Sequence, residues 1–383
     1  MSAIVNELGA AGHELHVITA LPWYREHAVE DGWGGRPIRT ESRSWGEITR
    51  VHPFPTDKTN IAARTTAFAG FTAIGLLAAV TDRFDADVVF AMSPPLSLGL
   101  AGWLAAKRRR TPFVFNIQDV FPDVAIETGT ISSPRVIKAA KRLESFVYDH
   151  ADVVTVLSEE MQRNVDAKTT TPTEIIPNFV DTEVFRPGPT ENDYRTEFDL
   201  VGKKVVMYCG NVGFSQSIEL LADAARALAH LDDVVFVVNG GGSAMGEVRR
   251  RAEGLANFRI IPYQPVQRVP EVLRAADIHV IPLRKGLAWS SVPSKLYKIL
   301  ACERPVVASV DGGTEVANVV VDAGAGRAVP PDDAAPFADA LEELLASPEL
   351  CNDMGSRGRE WVEQWVTPAR AAERYAELFD RLG

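Results

Sequence analysis

The sequence predicts an α/β protein made of two doubly wound, Rossmann-like domains that face each other across a cleft. Three observations support this: short β-rich runs alternate with helical patterns, the alternation occurs in two series, and a segment rich in proline and charge, residues 179–200, separates the series. Strands that alternate with helices form parallel sheets through right-handed crossovers. Because ligands of such sheets bind beyond the carboxyl ends of the strands, we expect functional residues there.

Length and composition agree with two globular domains. The chain has 383 residues, of which 46% are hydrophobic, and it carries 40 Lys and Arg against 51 Asp and Glu, a formal charge of −11. The acidic balance argues against nucleic acid as a partner, because a phosphate backbone binds basic surfaces. The cysteines Cys209, Cys302 and Cys351 form no CxxC pair, and we expect them to be reduced packing residues of a cytoplasmic protein.

The first series of strands and helices defines an N-terminal domain, residues 1–185. Its strand candidates are 14–19, 48–54, 87–92, 112–117, 152–157 and 173–178. The uncharged stretch within 61–81 is shorter than the ~20 residues of a bilayer span, so it predicts either a buried helix or a helix resting on a membrane surface. The basic segment 107–142 begins with Lys-Arg-Arg-Arg, and together with 61–81 it predicts peripheral contact with an anionic membrane.

The second series defines a C-terminal domain, residues 186–365. Its strand candidates are 204–210, 233–240, 258–263, 277–283, 305–310 and 326–331. Residues 366–383 have a helical pattern, and we expect this last helix to pack back on the N-terminal domain.

Two turns of the second series have the features of a diphosphate site. Gly210 and Gly213 follow a strand, where glycine lets the backbone approach a ligand closely. Pro293 opens a helix and leaves the following N–H groups free, and Lys295 adds positive charge to that first turn. An ordinary strand-to-helix turn and an ordinary helix start account for the same residues, so the spacing alone leaves both interpretations open.

Several segments resemble family 4 glycosyltransferases of the GT-B type. They are IIPNFVDTEVFRP (175–187), PSKLYKILACERPVVASVDGGTEV (293–316) and the C-terminal GRAVPPDDAAPFADALEELLASPEL. NIQDVFPD (116–123) and YCGNVGFSQSIE (208–219) resemble the bacterial L-fucosamine (FucNAc) transferase branch of O-antigen and colanic acid synthesis. The resemblance covers nearly the whole chain. It implies a retaining, metal-independent transferase without a cofactor, which moves a sugar from a nucleotide-sugar such as a UDP-sugar to a lipid-linked glycan acceptor in polysaccharide or glycolipid synthesis.

The resemblance also implies roles for individual residues. Lys295 would stabilise the departing diphosphate, and Asp119 would orient a sugar or acceptor hydroxyl. The donor-binding residues that it implies are Gly210, Asn211, Gly213, Gln216, Gly240, Gly241, Tyr263, Arg284, Pro293, Ser294, Lys298 and Glu315. The acceptor-side residues are Ser93, Pro94, Gln118 and Asp123. Turns, helix caps and solvated loops remain the structural alternatives for these positions.

The chain departs from the family pattern at several points. Asn211 and Gln216 stand where many members carry the cations of an Arg-x4-Lys motif, and Ser290 and Lys298 stand where Glu-x7-Glu would place carboxylates. Gln118 replaces a frequent histidine. The chain also begins inside the helix that follows the family's first strand and Gly-rich loop. We expect that the assigned start lies downstream of the true one; a truncated chain and an inactive protein are the alternatives.

Two other functions stay open. A nucleotide-sugar 2-epimerase shares the architecture and would need no acceptor, and a degenerate, non-catalytic GT-B protein would only bind a partner. A metal site is not expected, because the pair Asp85 and Asp87 precedes a strand instead of following one. The N-terminus lacks the basic region of a secretory signal, so we expect a cytoplasmic protein at the inner face of the cell membrane.

Overall fold

The computed structural model describes residues 2–23, 28–55, 61–81, 84–127, 129–286 and 295–383. The chain divides into two compact units. Unit 1 consists of Met1–Pro177 together with Pro368–Gly383, and unit 2 consists of Asn178–Thr367. Each unit has parallel β-sheet with helices between the strands, as the sequence predicts for a pair of Rossmann-like domains.

The elements of the first part of the chain are, in order, α1 (Ser2–Ala10), β1 (Leu15–Ala20), β2 (Ile38–Arg43), β3 (Gly46–Val51), α2 (Ile61–Thr81), β4 (Val89–Ser93), α3 (Ser97–Arg109), β5 (Phe113–Ile117), α4 (Asp123–Glu127), α5 (Pro134–Asp149), β6 (Val153–Val156), α6 (Glu159–Asp166) and β7 (Thr173–Ile175).

The elements of the second part are α7 (Asp193–Glu197), β8 (Lys204–Asn211), α8 (Glu219–Ala227), β9 (Val234–Gly241), α9 (Met245–Arg251), β10 (Phe258–Ile261), α10 (Val269–Arg274), β11 (Ile278–Pro282), α11 (Lys295–Ala301), β12 (Val306–Ser309), α12 (Glu315–Asp322), β13 (Gly326–Val329), α13 (Ala334–Ala346) and α14 (Pro348–Trp365), followed by α15 (Pro368–Leu382).

Unit 1 contains two sheets in its described residues. A four-stranded parallel sheet has the order β4-β5-β6-β7, and a three-stranded sheet has the order β1-β3-β2, in which β2 runs antiparallel to β3. The strand β2 was not predicted. Its sequence IRTESR has one aliphatic residue, and Arg43 pairs with Gly46 across a two-residue turn. A hairpin partner supplies the hydrogen bonds of such a strand, so the strand needs no apolar run.

The strands of unit 1 differ in burial. Every residue of β5 and β6 is buried, whereas every residue of β1 and most of β4 are only partly buried. The last helix, α15, belongs to this unit because Tyr375 packs edge-to-face on Phe90 at a ring-centroid distance of 5.3 Å. The Tyr375 hydroxyl also accepts a hydrogen bond from Asn116 Nδ2 at 3.0 Å.

The segment 61–81, which contains the uncharged stretch, forms α2, which packs against α3 and the β1/β3 pair. The hydroxyls of Thr72 and Ser97 are 2.7 Å apart and join α2 to α3. Leu77, on the same helix, is 55% exposed. Across the residues that the structure describes, no helix combines the length and the apolar composition that crossing a membrane requires.

Unit 2 contains one six-stranded sheet with the order β10-β9-β8-β11-β12-β13, in which all pairs are parallel. The side chains of β8 alternate between two hydrophobic cores on opposite faces of the sheet. Val206 and Tyr208 pack into one core, and Val205 and Met207 pack into the other. The strand order reverses between β8 and β11. In a doubly wound sheet this switch point opens a crevice at the carboxyl edge, so the residues after β8 and β11 are placed to meet a ligand.

Candidate functional site

The predicted donor residues converge on the carboxyl edge of the unit 2 sheet. Gly210 and Asn211 end β8, Gly240 and Gly241 end β9, and the segments that begin at Gly213, Tyr263 and Arg284 follow β8, β10 and β11. Lys295 is the first residue of α11. Pro293 and Ser294, like Ser290, lie outside the described residues.

The ends of β8 and β9 approach each other more closely than side chains allow. Gly240 has a φ of +153°, and a Cβ placed there would lie 2.0 Å from the carbonyl oxygen of Gly210. Gly242 has a φ of +150°, and its Cβ would lie 2.3 Å from the oxygen of Val212. Glycine is therefore required at both positions by backbone packing. Gly210, with a φ of +140°, instead faces the ammonium of Lys295, 3.6 Å from where a Cβ would stand.

The loop after β8 is held by its own amide groups. Gln216 Oε1 accepts the backbone N–H of Gly213 at 2.9 Å, and Gln216 Nε2 donates to Ser215 Oγ at 2.7 Å. The hydroxyl of Tyr263 donates to the Gly241 carbonyl at 2.7 Å and lies 3.4 Å from Asn211 Oδ1. The structure thus brings Asn211, Gly241 and Tyr263 together, while Gln216 shapes the loop.

Lys295 is the exceptional cation of this edge. Its Nζ lies 4.0 Å from the centroid of the Tyr208 ring, and within the described residues it makes no ion pair. Desolvation lowers the pKa of Lys295 to about 8, although the thiol of Cys209 acts in the opposite direction. An ammonium that has no counter-charge in the described part of the chain and lies against an aromatic face is suited to bind an anion.

Of the other predicted cations of unit 2, Arg284 has an acidic partner, whereas Lys298, like Lys295, has an aromatic one. Arg284 Nη2 donates to Glu219 Oε1 at 2.7 Å, and Arg284 Nε donates to the carbonyl of Phe214 at 2.9 Å. Arg284 therefore clamps the loop after β8 onto the start of α8. The Lys298 ammonium lies 5.4 Å from the centroid of the Phe185 ring.

Carboxylates stabilise the loops after β11 and β12. Glu315 opens α12 and accepts a hydrogen bond from the Tyr297 hydroxyl at 3.3 Å. Two acidic residues that sequence reasoning missed hold the loop after β11: Asp332 Oδ2 accepts the N–H of Lys285 at 2.9 Å, and Asp311 Oδ2 accepts that of Gly286 at 2.6 Å. Asp311 could have been noticed, because it closely follows a strand end. Tyr208 was missed because it reads as an ordinary core residue.

The predicted acceptor-side residues lie at the carboxyl edge of the four-stranded sheet in unit 1. Ser93 ends β4, is 2% exposed and accepts the N–H of Gln118 through its carbonyl. Pro94 follows it directly. Gln118 Nε2 donates to Asn116 Oδ1 at 2.6 Å, and Asn116 in turn donates to Thr155 Oγ1 at 2.8 Å. Gln118 is thus the outer end of a buried chain of polar side chains.

Asp119 and Asp123 have different environments. Asp123 Oδ2 accepts hydrogen bonds from Lys168 Nζ at 2.7 Å and from Asn164 Nδ2 at 3.2 Å, and Lys168 also pairs with Glu144. The Asp119 side chain is half-buried and has no hydrogen bond or ion pair with any described residue. Asp119 is therefore the carboxylate of the two that is open to a ligand.

The arrangement offers anion binding and hydroxyl orientation. In the described ranges, no cluster of three or more His, Cys, Asp and Glu side chains is arranged to hold a metal ion. Unit 2 is suited to a phosphate-containing ligand. Lys295, the glycine backbone at the ends of β8 and β9, and the loop that the Gln216 side chain holds all lie at the same edge of its sheet.

Comparison with known families gives a match to each half of the chain. Residues 1–178 match the glycosyl transferase 4-like domain, and residues 203–347 match the glycosyl transferases group 1.

Two relatives are similar over most of the chain. A probable glycosyltransferase of Pseudomonas aeruginosa, WbjE, is 27% identical over 76% of this chain and 73% of its own length. A putative colanic acid biosynthesis glycosyl transferase of Escherichia coli, WcaI, is 25% identical over 82% of this chain and 80% of its own length. Both similarities span the two units.

The fold is also that of solved structures. HepE of Anabaena, in its complex with UDP-glucose, superposes with a TM-score of 0.64 at 16% identity, over 82% of this chain and 82% of HepE. The similarity confirms the predicted architecture of two Rossmann-like domains.

Proposed function

The chain is a glycosyltransferase with the two-domain GT-B fold, and we propose that it transfers a sugar, with retention of configuration, from a UDP-sugar to a lipid-linked glycan. The prediction of a glycosyltransferase is confirmed; the FucNAc transferase branch, the base and the acceptor are part of the proposal. The observation that carries it is the desolvated ammonium of Lys295 at the switch point of the unit 2 sheet, which has no ion-pair partner among the described residues.

Lys295 supports a site for the donor diphosphate. Desolvation lowers the pKa of this ammonium to about 8, and no carboxylate of the described residues pairs with it. A bound diphosphate would supply a counter-charge. Gly210, near the end of β8, presents bare backbone to the lysine, and Tyr263 is 57% exposed on the same edge. The bound UDP-glucose of the similar HepE structure favours a uridine nucleotide.

We infer front-side attack as the route to retention. The acceptor hydroxyl forms the new bond to the anomeric carbon while the bond from that carbon to the diphosphate oxygen breaks, and the hydroxyl proton passes to the departing oxygen. Lys295 stabilises the charge that develops on the diphosphate, without a metal. A double displacement would need a free carboxylate nucleophile. Glu315 and Asp123 are engaged by Tyr297 and Lys168, and Asp119 is assigned to an acceptor hydroxyl.

A lipid-linked acceptor requires access to a membrane surface, which we assign to α5 at the inner face of the cell membrane. Lys138, Lys141 and Arg142 line an apolar groove of about 610 Å³ with Ile137. Val136, on the same helix, is 50% exposed. Basic side chains around exposed aliphatic ones are suited to anionic lipid. By contrast, Arg109 of the run 107–110 donates to the carbonyls of Phe84 and Ala79 and has a structural role.

The transfer reaction tests the proposal. We expect the purified protein to release UDP from a UDP-sugar only when a lipid-linked glycan is added, and to do so in EDTA. Isomerised donor in the absence of acceptor would instead identify an epimerase. No UDP binding and no transfer would leave the non-catalytic alternative. The anomeric configuration of the product, measured by NMR, decides between retention and inversion.

Vesicle binding tests the membrane surface. We expect cosedimentation with phosphatidylglycerol vesicles but not with phosphatidylcholine vesicles, and loss of binding when Lys138, Lys141 and Arg142 are changed to Glu. The charge-matched control changes Arg249, Arg250 and Arg251 of α9 to Glu. Equal binding of the two triple variants would contradict the assignment of α5.

A further inference from the structure

A second cavity lies in unit 1, away from the four-stranded sheet. It has a volume of about 580 Å³ and is lined by Trp33, Arg36, Ile38, Arg39, Thr40 and Glu41. Ile38 pairs with Val51, the last residue of β3, and β3 runs parallel to β1. The cavity therefore runs along the edge strand β2, starting at the end of β2 that meets the carboxyl end of β3.

The ring of Trp33, which lines the cavity, lies close to two arginines. The guanidinium carbons of Arg39 and Arg50 lie 5.6 and 5.0 Å from the centroid of its ring. Arg39 also donates to the carbonyls of Gly32 and Gly34, both at 2.8 Å. Arg39 is therefore fixed in place by three contacts that leave its charge uncompensated.

The acidic residue of the cavity is already neutralised. Glu41 Oε1 accepts a hydrogen bond from Arg50 Nε at 2.8 Å, and Glu41 Oε2 pairs with Arg43. Both carboxylate oxygens are thus used by arginines. The positive charges of Arg36 and Arg39 stay in excess at the cavity wall, in a chain whose total charge is −11.

Arg36 is the group free to contact a ligand. Its side chain is exposed, lines the cavity and makes no ion pair or hydrogen bond with any residue of the described chain. Ile38, 39% exposed, adds an apolar surface beside it. A guanidinium fork binds a carboxylate or phosphate through paired hydrogen bonds, and an aliphatic surface suits the C–H face of a sugar ring.

We propose that this cavity binds an anionic sugar, one that carries a carboxylate or a phosphate, as a second contact for the acceptor glycan. Arg36 pairs with the anion, Arg39 adds a fixed positive charge, and Ile38 packs on the ring. The assignment to the acceptor rests on the proposed function, whereas the anion binding itself does not.

Calorimetric titration tests this cavity with three probes: methyl β-D-glucuronide, glucose 6-phosphate and, as the neutral control, methyl β-D-glucoside. Saturating UDP keeps the probes from the unit 2 site. We expect one or both charged probes to bind and the neutral probe not to bind. The preferred probe identifies the anion as carboxylate or phosphate.

Arg36→Gln should weaken that binding about tenfold, because a charge-assisted pair is lost. Its side chain is exposed and makes no hydrogen bond or ion pair with any described residue, so the fold should be unaffected, and Arg108→Gln on the exposed end of α3 is the control for net charge. Absence of binding, equal binding of the neutral sugar, or unchanged affinity in Arg36→Gln would overturn the proposal. UDP binding is measured in the same samples: its loss with intact sugar binding would count against the proposed transferase site and not against the cavity.

Discussion

The two units build their carboxyl edges in different ways. In unit 2, one continuous parallel sheet carries the edge, and β9, β11 and β12 are buried along almost their whole length. In unit 1, the strands are divided between two sheets, and buried side-chain networks such as Asn116 with Thr155 and Tyr375 support the edge. Close approach of glycine backbones therefore distinguishes the site of unit 2, whose loops are also held by side-chain hydrogen bonds, whereas a buried network of polar side chains distinguishes that of unit 1.

One lysine from each unit illustrates a second difference between the units. Lys168 of unit 1 lies 2.7 Å from both Asp123 and Glu144, so its charge is compensated within the fold. Lys295 of unit 2 lies against an aromatic face and has no carboxylate partner among the described residues, and its pKa is lowered to about 8. A compensated buried charge stabilises structure, whereas an uncompensated one at a ligand edge indicates function.

The largest expected effect is on catalysis. Lys295→Ala should lower the rate of sugar transfer by about 10²–10³-fold, because it removes the charge that faces the leaving diphosphate. Initial rates with a UDP-sugar and acceptor measure this. Lys204→Ala, a change of an exposed lysine at the opposite end of β8, is the control and should leave the rate unchanged. Near-normal turnover of Lys295→Ala would refute the assignment.

The second largest expected effect is a loss of stability when Lys168, the lysine with two acidic partners, is replaced. Lys168→Ala leaves the carboxylates of Asp123 and Glu144 without their cation, and burial already raises the pKa of Glu144. We expect a loss of about 2 kcal/mol in the free energy of unfolding. Urea denaturation followed by tryptophan fluorescence measures it. The rate of sugar transfer per folded molecule should stay normal. A decrease in that rate as large as that of Lys295→Ala would contradict a purely structural role for Lys168.

The reverse effect is expected at the uncompensated lysine. Lys295→Met should stabilise the protein by about 2 kcal/mol, because it removes a desolvated charge. The folded pKa of about 8 lies below the ordinary 10.5, so the unfolded state binds more protons between these values and wild-type stability rises with pH across that window. The advantage of Lys295→Met should therefore be full below about pH 8 and vanish above about pH 10.5. Thermal unfolding at several pH values measures it, and an advantage independent of pH would contradict this origin.

A smaller effect is expected at the loop clamp. Arg284→Ala breaks the contacts with Glu219 and Phe214 that hold the loop after β8. We expect the KM for the donor to rise about tenfold with a modest change in kcat, because one charged hydrogen bond orders the loop. Glu219→Gln should cause a similar but weaker change. A collapse of kcat with an unchanged KM would instead indicate that Arg284 contacts the reacting diphosphate.

Sequence patterns predicted most strands within a few residues, because buried parallel strands appear as apolar runs. They missed β2, whose polar sequence is stabilised by its hairpin partner. They also suggested donor or acceptor contacts for Arg284 and Asp123, because the partners that engage these residues, Glu219 and Lys168, are distant in the chain. The desolvation of Lys295 depends on packing around Tyr208, which no local pattern contains.

Calorimetric titration with UDP across pH tests the central claim, that Lys295 receives the donor diphosphate. The range from about pH 7.5 to about pH 9.5 lies above the phosphate pKa, so the lysine of this site dominates the titration there. We predict wild-type affinity that is nearly constant up to about pH 8 and then falls, with proton uptake on binding, and weak, pH-independent affinity for Lys295→Ala. Equal UDP affinity of the two proteins, with the same dependence on pH, would contradict the account.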